Sequence, residues 1–111
     1  MNIYLDYAAT VPVRAEVMRT YVEATAKLGN PSSTHSYGRE TRMILEDARD
    51  RLAVALNCDR NEVLFTSGGT ESDNLAIKGL YWKRNEGTRR PVVISAYTEH
   101  HGVIDPIEWL E

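Results

Sequence analysis

Phe65-Thr66-Ser67-Gly68-Gly69-Thr70-Glu71-Ser72-Asp73-Asn74 is the stretch on which the fold of this 111-residue chain turns. Before it, Glu62 to Phe65 is short and mostly apolar, the pattern of a buried strand. After it, Thr70 to about Asn85 carries Ile77, Leu80 and Tyr81 at helical spacing. Glycines between a strand end and a helix start let backbone N–H groups converge on an anion, and the helix dipole adds to that attraction. The hydroxyls of Ser67, Thr70 and Ser72 are further donors in reach of the same turn. The stretch matches neither G-x-G-x-x-G nor the Walker pattern, so nucleotide binding is not its first reading. A second reading stands beside the phosphate cradle: Thr70 with Asp73 three residues later is an acidic variant of a capping box, and the glycines serve only the turn.

Working outward, Val92-Val93-Ile94 gives a second short apolar strand, separated from the first by the helix-bearing connection Ser67 to Pro91. Two such strands joined in this way predict an α/β architecture, with a sheet covered on both faces. A helix is expected to begin near His101 and to continue to Glu111, with Val103, Ile107 and Leu110 on one side and Pro106 in its first turn or at a kink. Upstream, Ile3 to Leu5 reads as a short extended start. Met18, Tyr21, Val22 and Thr25 predict a helix from about Arg14 to Lys27, stopped by Gly29 and Pro31. Asn30-Pro31-Ser32-Ser33-Thr34-His35 is turn chemistry. A longer helix, from about Gly38 to Leu56, places Ile44, Ala48, Leu52, Ala55 and Leu56 on one stripe. It leaves Arg39, Arg42, Glu46, Asp50 and Arg51 for solvent.

Composition limits the partners. Hydrophobic residues at 42% and charged residues at 26% describe a globular chain rather than a disordered or fibrous one. A net charge of −3, with no Lys/Arg block longer than a pair, offers no electrostatic footprint for nucleic acid or an anionic membrane. No run approaches the roughly 18 apolar residues that span a bilayer, and Met1 to Asp6 lacks the regions of a signal peptide, so a cytoplasmic location is expected. The single cysteine, Cys58, cannot form an internal disulfide and has nothing beside it in sequence to activate it.

Thr98-Glu99-His100-His101 follows the second strand and so is expected at the same carboxyl edge of the sheet as the glycine turn, the edge where open α/β sheets bind ligands. His100 is there either a ring-stacking or proton-transfer residue, or a polar residue at a helix start. His35 is a third candidate, with a merely solvated loop histidine as the alternative. His35, Cys58, His100 and His101 have no metal-ligand spacing, so no metal is expected.

Tyr4-Leu5-Asp6-Tyr7-Ala8-Ala9-Thr10, Gly29 to His35, Phe65 to Ala76 and Thr98-Glu99-His100, in this order and spacing, resemble the cysteine desulfurases of the NifS and IscS type. These are pyridoxal-phosphate enzymes of the class V aminotransferase family. The resemblance implies the first part of a fold type I large domain with a seven-stranded, mostly parallel sheet whose first two strands in sequence are not neighbours. It implies residues 1–35 as an N-terminal segment with a helix and an active-site loop, and 36–111 as the first, truncated part of the cofactor-binding domain. Pyridoxal 5'-phosphate would be the cofactor, with Gly69 and Thr70 on its phosphate. His100 would be the catalytic residue, stacked on its ring and assisting proton transfer.

The implied reaction joins L-cysteine to the cofactor; a protein thiolate then takes the sulfur as a persulfide, and alanine leaves. A homodimer and a sulfur-acceptor protein are implied as partners. Val11 departs from the family's run, where a second threonine often follows Asp6 to Thr10. Lys27, Lys78 and Lys83 lie outside the family's Schiff-base motif, and Cys58 lies where the family has no catalytic thiol. The ring-nitrogen aspartate, the later histidine and lysine, the mobile-loop cysteine and the carboxylate-binding arginine belong to later parts of the family's chain. The expectation is an N-terminal portion, truncated or split, that is inactive alone. Other readings are a non-catalytic stub that pairs with a complementary or full-length chain, and a related class V aminotransferase or selenocysteine lyase.

Overall fold

The computed structural model describes residues 3–111; Met1 and Asn2, and whatever the N-terminal reading rests on them, lie outside the described residues. The helices are α1, Ala15–Thr25; α2, Ser36–Leu56; α3, Gly69–Asn85; and α4, His101–Trp109, with a single 3-10 turn at Arg60–Glu62. The chain divides into two compact units, Met1–Val63 and Leu64–Glu111.

In the first unit, the Asn30 to His35 loop folds back onto the start of α2. Asn30 Oδ1 accepts the Ser32 N–H at 2.9 Å, and Asn30 O accepts the Ser33 N–H at 2.9 Å. The loop lies so close to the helix that a methyl group at Gly38 would start 2.4 Å from Ser33 O and 2.8 Å from Asn30 O. One at Gly29, where φ is +155°, would start 2.3 Å from Tyr37 O. His35 caps the helix, its ring Nδ1 accepting the Gly38 N–H at 3.2 Å. At the other end Asn57 takes the left-handed conformation, φ 53°, and the Cys58 N–H reaches Ala53 O at 3.0 Å, which stops α2.

The chain then turns through a capping box in which Asp59 Oδ1 accepts the Asn61 N–H and Glu62 Oε2 accepts the Asp59 N–H, each at 2.8 Å. This turn carries Arg60 back to α2, where it pairs with Glu46 and with Asp50, the latter at 3.2 Å. Arg49 donates to Val63 O and to Glu46 at 3.3 Å. Partial desolvation pushes the Glu46 carboxyl up, but the Arg60 and Arg49 guanidiniums outweigh it and hold Glu46 below the ordinary carboxylate range. Of the residues expected in solvent, Arg39, Arg42 and Arg51 are exposed, while Glu46 and Asp50 are met by the returning Arg60. The apolar stripe is left uncovered: Ile44 and Leu52 are about 40% exposed and Leu56 is 68% exposed. Nothing in this unit supplies an apolar surface to meet that stripe, whereas Arg60 has charges to meet at Glu46 and Asp50.

In the second unit α3 and α4 run parallel. Asp73, one turn into α3, lies beside Gly102 at the start of α4, and further along Trp82 meets Trp109 edge-on at 6.2 Å with Lys78 Nζ 4.2 Å from the Trp109 ring centre. Ile77 and Tyr81 of α3, Val103 and Ile107 of α4, and the extended run Val92 to Ala96 border one open groove. Pro106 sits in the body of α4 and is buried, and the helix stops at Trp109 rather than running on to Glu111.

The sheet half of the α/β expectation is not realised within this chain. Among the described residues there is no strand: Glu62 closes the 3-10 turn, and Val92 to Ala96 runs extended without entering a ladder. The two segments are not paired with each other, and an extended segment without a neighbour has no ladder to join. Ile94 is consequently 92% exposed, and the buried hydrophobic residues reduce to Ala53 and Val63 among those described.

Two outcomes follow from this packing. On heating, the isolated chain should lose its 222 nm ellipticity over a broad range and bind a hydrophobic dye before the loss is complete; a sharp two-state transition of a monomer would contradict it. Gly38→Ala should destabilise the first unit by about 1–3 kcal/mol through overpacking against the 30–33 backbone, read as faster amide exchange at Ser32, Ser33 and Arg39.

Candidate functional site

The glycine turn has been left open by its own side chains. Gly68 precedes α3 in extended backbone and offers no capping atom, so the first N–H groups of the helix lack a side-chain acceptor. A methyl group at either Gly68 or Gly69 would meet nothing within 4 Å. The three hydroxyls divide sharply. Ser67 donates both its N–H and its Oγ–H to Glu71 Oε2, at 2.7 and 2.6 Å. Ser72 Oγ is engaged by Thr66 Oγ1 at 2.7 Å and by Gly68 O at 3.2 Å. The Thr70 hydroxyl alone of the three forms no hydrogen bond among the described residues.

The Thr70–Asp73 capping box is overturned by this arrangement. Thr70 is inside the helix, Gly68 occupies the cap position, and the carboxylate that folds back over the turn is Glu71. The Ser67 hydroxyl and then the Ser67 amide N–H hold the Glu71 carboxyl below its ordinary range. Sequence reading missed Glu71; its signal was a glutamate in the first turn, four residues after a serine at the loop's start.

His100 caps α4, its Nδ1 accepting the Gly102 N–H at 2.9 Å. An accepting Nδ1 has no proton, so the neutral ring carries its proton on Nε2, the nitrogen left outside the helix. The polar residue at a helix start therefore describes what His100 does for the fold. It does not use the whole ring, which is exposed. His101 points elsewhere, with Nδ1 3.4 Å from Asp105 Oδ1. Because α3 and α4 run parallel, the glycine turn and His100 share one end of the second unit. His35 caps α2 in the other unit, so it is not a merely solvated ring.

Among the described residues no group of three or more His, Cys, Asp and Glu is arranged to hold a metal, and no helix is long and apolar enough to cross a membrane. The lysines are engaged: Lys27 with Glu40 at 3.0 Å, Lys83 with Glu86 at 2.7 Å, and Lys78 over Trp109. Lys78 and Lys83 lie along and beyond the middle of α3, away from the glycine turn.

The model of the family described as "Aminotransferase class-V" matches residues 3–111. The chain belongs to the class V aminotransferase family. Within it, the chain is 46% identical over 113 residues to the cysteine desulfurase IscS of Dictyoglomus turgidum, covering 99% of this chain and 28% of that protein. It is 43% identical over 108 residues to an IscS-like cysteine desulfurase of Mycobacterium tuberculosis, covering 96% and 28%. A solved structure of a NifS-like protein superposes with a TM-score of 0.80 at 32% identity, covering 99% of this chain and 30% of that one. The chain thus spans about 28% of the length of these curated class V relatives and corresponds to their N-terminal portion.

The Glu71 clamp has a pH signature. Its carboxyl binds a proton less readily in the folded turn than in the unfolded chain, so its contribution is present at pH above the unfolded value and is lost as pH falls through the lowered folded value. Acidification through that window should free the Ser67 N–H to exchange, and Glu71→Gln should remove the acid step. An unchanged Ser67 exchange profile in Glu71→Gln would show that another group controls the turn.

Proposed function

We propose that this chain is the N-terminal part of a pyridoxal-phosphate-dependent cysteine desulfurase, contributing the phosphate-binding and ring-stacking half of the site. The observation that supports the reading is the open, uncapped start of α3 at the same end of the second unit as the free face of the His100 ring. A phosphate needs converging N–H donors without a competing acceptor, and Gly69 and Thr70 offer them together with the unbonded Thr70 hydroxyl. Glu71 has already taken the donors of Ser67. The residues present therefore fit the phosphate group, with Thr70 rather than Ser67 or Ser72 as the hydroxyl.

When bound, the cofactor supplies an electron sink for chemistry at the amino acid. The chain's own residues would bind and orient it: Gly69 and Thr70 would hold the phosphate, and the His100 ring would stack on the pyridine. His100, so placed, would be the residue able to hold or pass a proton, because an imidazole has both a donor and an acceptor nitrogen. Neither lysine of the second unit, Lys78 or Lys83, is at that end, so a covalent tie to the cofactor is assigned to residues outside this chain. L-cysteine as substrate, a sulfur-acceptor protein, a homodimer or complementary chain and a cytoplasmic location complete the proposal. Residues 1–35 are taken as the N-terminal segment with a helix and the Asn30 to His35 loop, and 36–111 as the first part of the large domain. Leu64 to Thr66 and Val92 to Ala96 are taken as strands of a mostly parallel sheet completed by residues outside this chain. A class V aminotransferase of different substrate, or a selenocysteine lyase, would share every residue named here.

Titration of the isolated chain with pyridoxal 5'-phosphate should give no visible band of covalently held cofactor, and cysteine should yield no alanine. Adding a chain that supplies the rest of the relatives' length should restore both. In that complex Thr70→Ala should weaken cofactor affinity roughly ten- to hundredfold, the range for a hydrogen bond to a charged group. Cysteine turnover by the homogeneous isolated chain would overturn the division of labour, an unaltered Thr70→Ala would overturn the phosphate contact, and a complex inert toward cysteine but active on another amino acid would reassign the substrate.

A further inference from the structure

We infer that Asp73 is the positioning residue for the His100 imidazole, acting through Gly102, so that the first turn of α3 sets both the anion end of the site and the orientation of the ring at its other end. The inference rests on the role given to His100 above. Position 102 is the junction. Gly102 is buried, its N–H is the donor that fixes His100 Nδ1 at 2.9 Å, and a methyl group there would start 2.7 Å from Asp73 Oδ2 and 3.2 Å from His100 Nδ1. The carboxylate of α3 and the imidazole of the α4 cap thus both border the space that a Cβ at residue 102 would fill. Only a residue without a Cβ leaves both where they are.

Asp73 is half-buried and forms no hydrogen bond or ion pair among the described residues. Its carboxylate is set against the start of α4, where the helix dipole favours a negative charge. Its neighbours on α3 are committed otherwise: Glu71 to Ser67, and Asn74 to Thr70 O at 2.9 Å. Asp73 is therefore the group through which α3 locates the backbone of residue 102, and the Gly102 N–H in turn holds Nδ1 deprotonated and Nε2 protonated. Without Asp73 the start of α4 loses its lateral stop, and the ring loses the donor that selects its tautomer and direction.

The test is nitrogen-15 NMR of the imidazoles at about pH 8.5, roughly two units above an ordinary histidine, in the chain and in its Asp73→Asn, Asp73→Ala, Gly102→Ala and Asp73→Ala/Gly102→Ala variants. His35, capping α2 in the other unit, is the internal reference, and amide exchange at Ile77 and Tyr81 reads whether α3 survives.

In the parent chain His100 should show an acceptor Nδ1 and a protonated Nε2. Asp73→Ala and Gly102→Ala should each shift His100 toward a tautomer mixture and speed Gly102 N–H exchange about fivefold, the scale of one net hydrogen bond, with His35 unmoved. Asp73→Asn, of the same shape, should retain most of the tautomer bias. In the double variant the methyl group meets no carboxylate, so Gly102→Ala should add less than it does alone. Additive effects, a parent His100 already averaged between tautomers, or Asp73 variants that leave His100 unchanged while α3 is intact would each overturn the inference. The readout needs no cofactor: a His100 controlled by Asp73 in a chain whose complex fails to bind pyridoxal 5'-phosphate would sink the proposed function and leave this coupling standing.

Discussion

The first N–H groups of an α-helix have no acceptor inside the helix, and how each helix start in this chain resolves that deficit governs most of what the chain can do. α2 is closed by His35 Nδ1, the 3-10 turn by Asp59 and Glu62, and α4 by His100 Nδ1. α3 begins at Gly69 behind Gly68, and among the described residues no side chain caps it. The carboxylate nearest to it, Glu71, bends back to Ser67 and not over the helix start. An anion arriving at α3 therefore competes with no protein acceptor at Gly69 and Thr70. The same scarcity explains the histidine at position 100: a ring that accepts on one nitrogen can close a helix and still present the other.

The parallel course of α3 and α4 converts that local chemistry into a shared location. It is held at one end by the approach of Asp73 to Gly102 and further along by Trp82, Trp109 and Lys78. Little else in either unit is held by apolar burial. α1 presents Val17, Met18, Tyr21 and Val22 to solvent, and Val92 and Ile94 are more exposed still. The chain spans about 28% of these relatives' length, and among the described residues few apolar surfaces meet its helices. Local hydrogen bonds, caps and ion pairs consequently carry a larger share of its order than they would in a complete domain.

Much of this was legible in the sequence because it is local. The 3.6 period and the stop signals placed α2 and α3 within two residues of their observed bounds, and Gly29 and Pro31 marked the end of the first helix, although α1 itself closes at Thr25. The candidate segments could be picked out as well, since a glycine pair before a helical pattern and a histidine after an apolar run are patterns of neighbours. What was not legible depends on partners. The stripe Ile44, Leu52, Leu56 reads as a core face in any sequence, and whether something covers it is decided elsewhere. Glu62 to Phe65 and Val92 to Ile94 have strand composition, but a strand is a relation between two segments and neither has its counterpart here. Glu46 and Asp50 read as part of a solvated charged face because nothing local announces that Arg60 returns to them. The hold of Glu71 on Ser67 was hidden by a competing pair, Thr70 and Asp73, with more familiar spacing.

The junction of α3 and α4 has one more property. Trp82 and Trp109 are the two tryptophans of the chain, and both sit in that junction, one from each helix, with the Lys78 ammonium over the second indole. Ultraviolet-excited emission selected for indole therefore originates from the contact between the two helices whose starts frame the candidate site. Residues 3–63, which carry tyrosine but no tryptophan, are dark to that signal. The molecule has a built-in optical reporter whose colour and polarisation describe the half that holds the glycine turn and His100, free of any contribution from the half that does not.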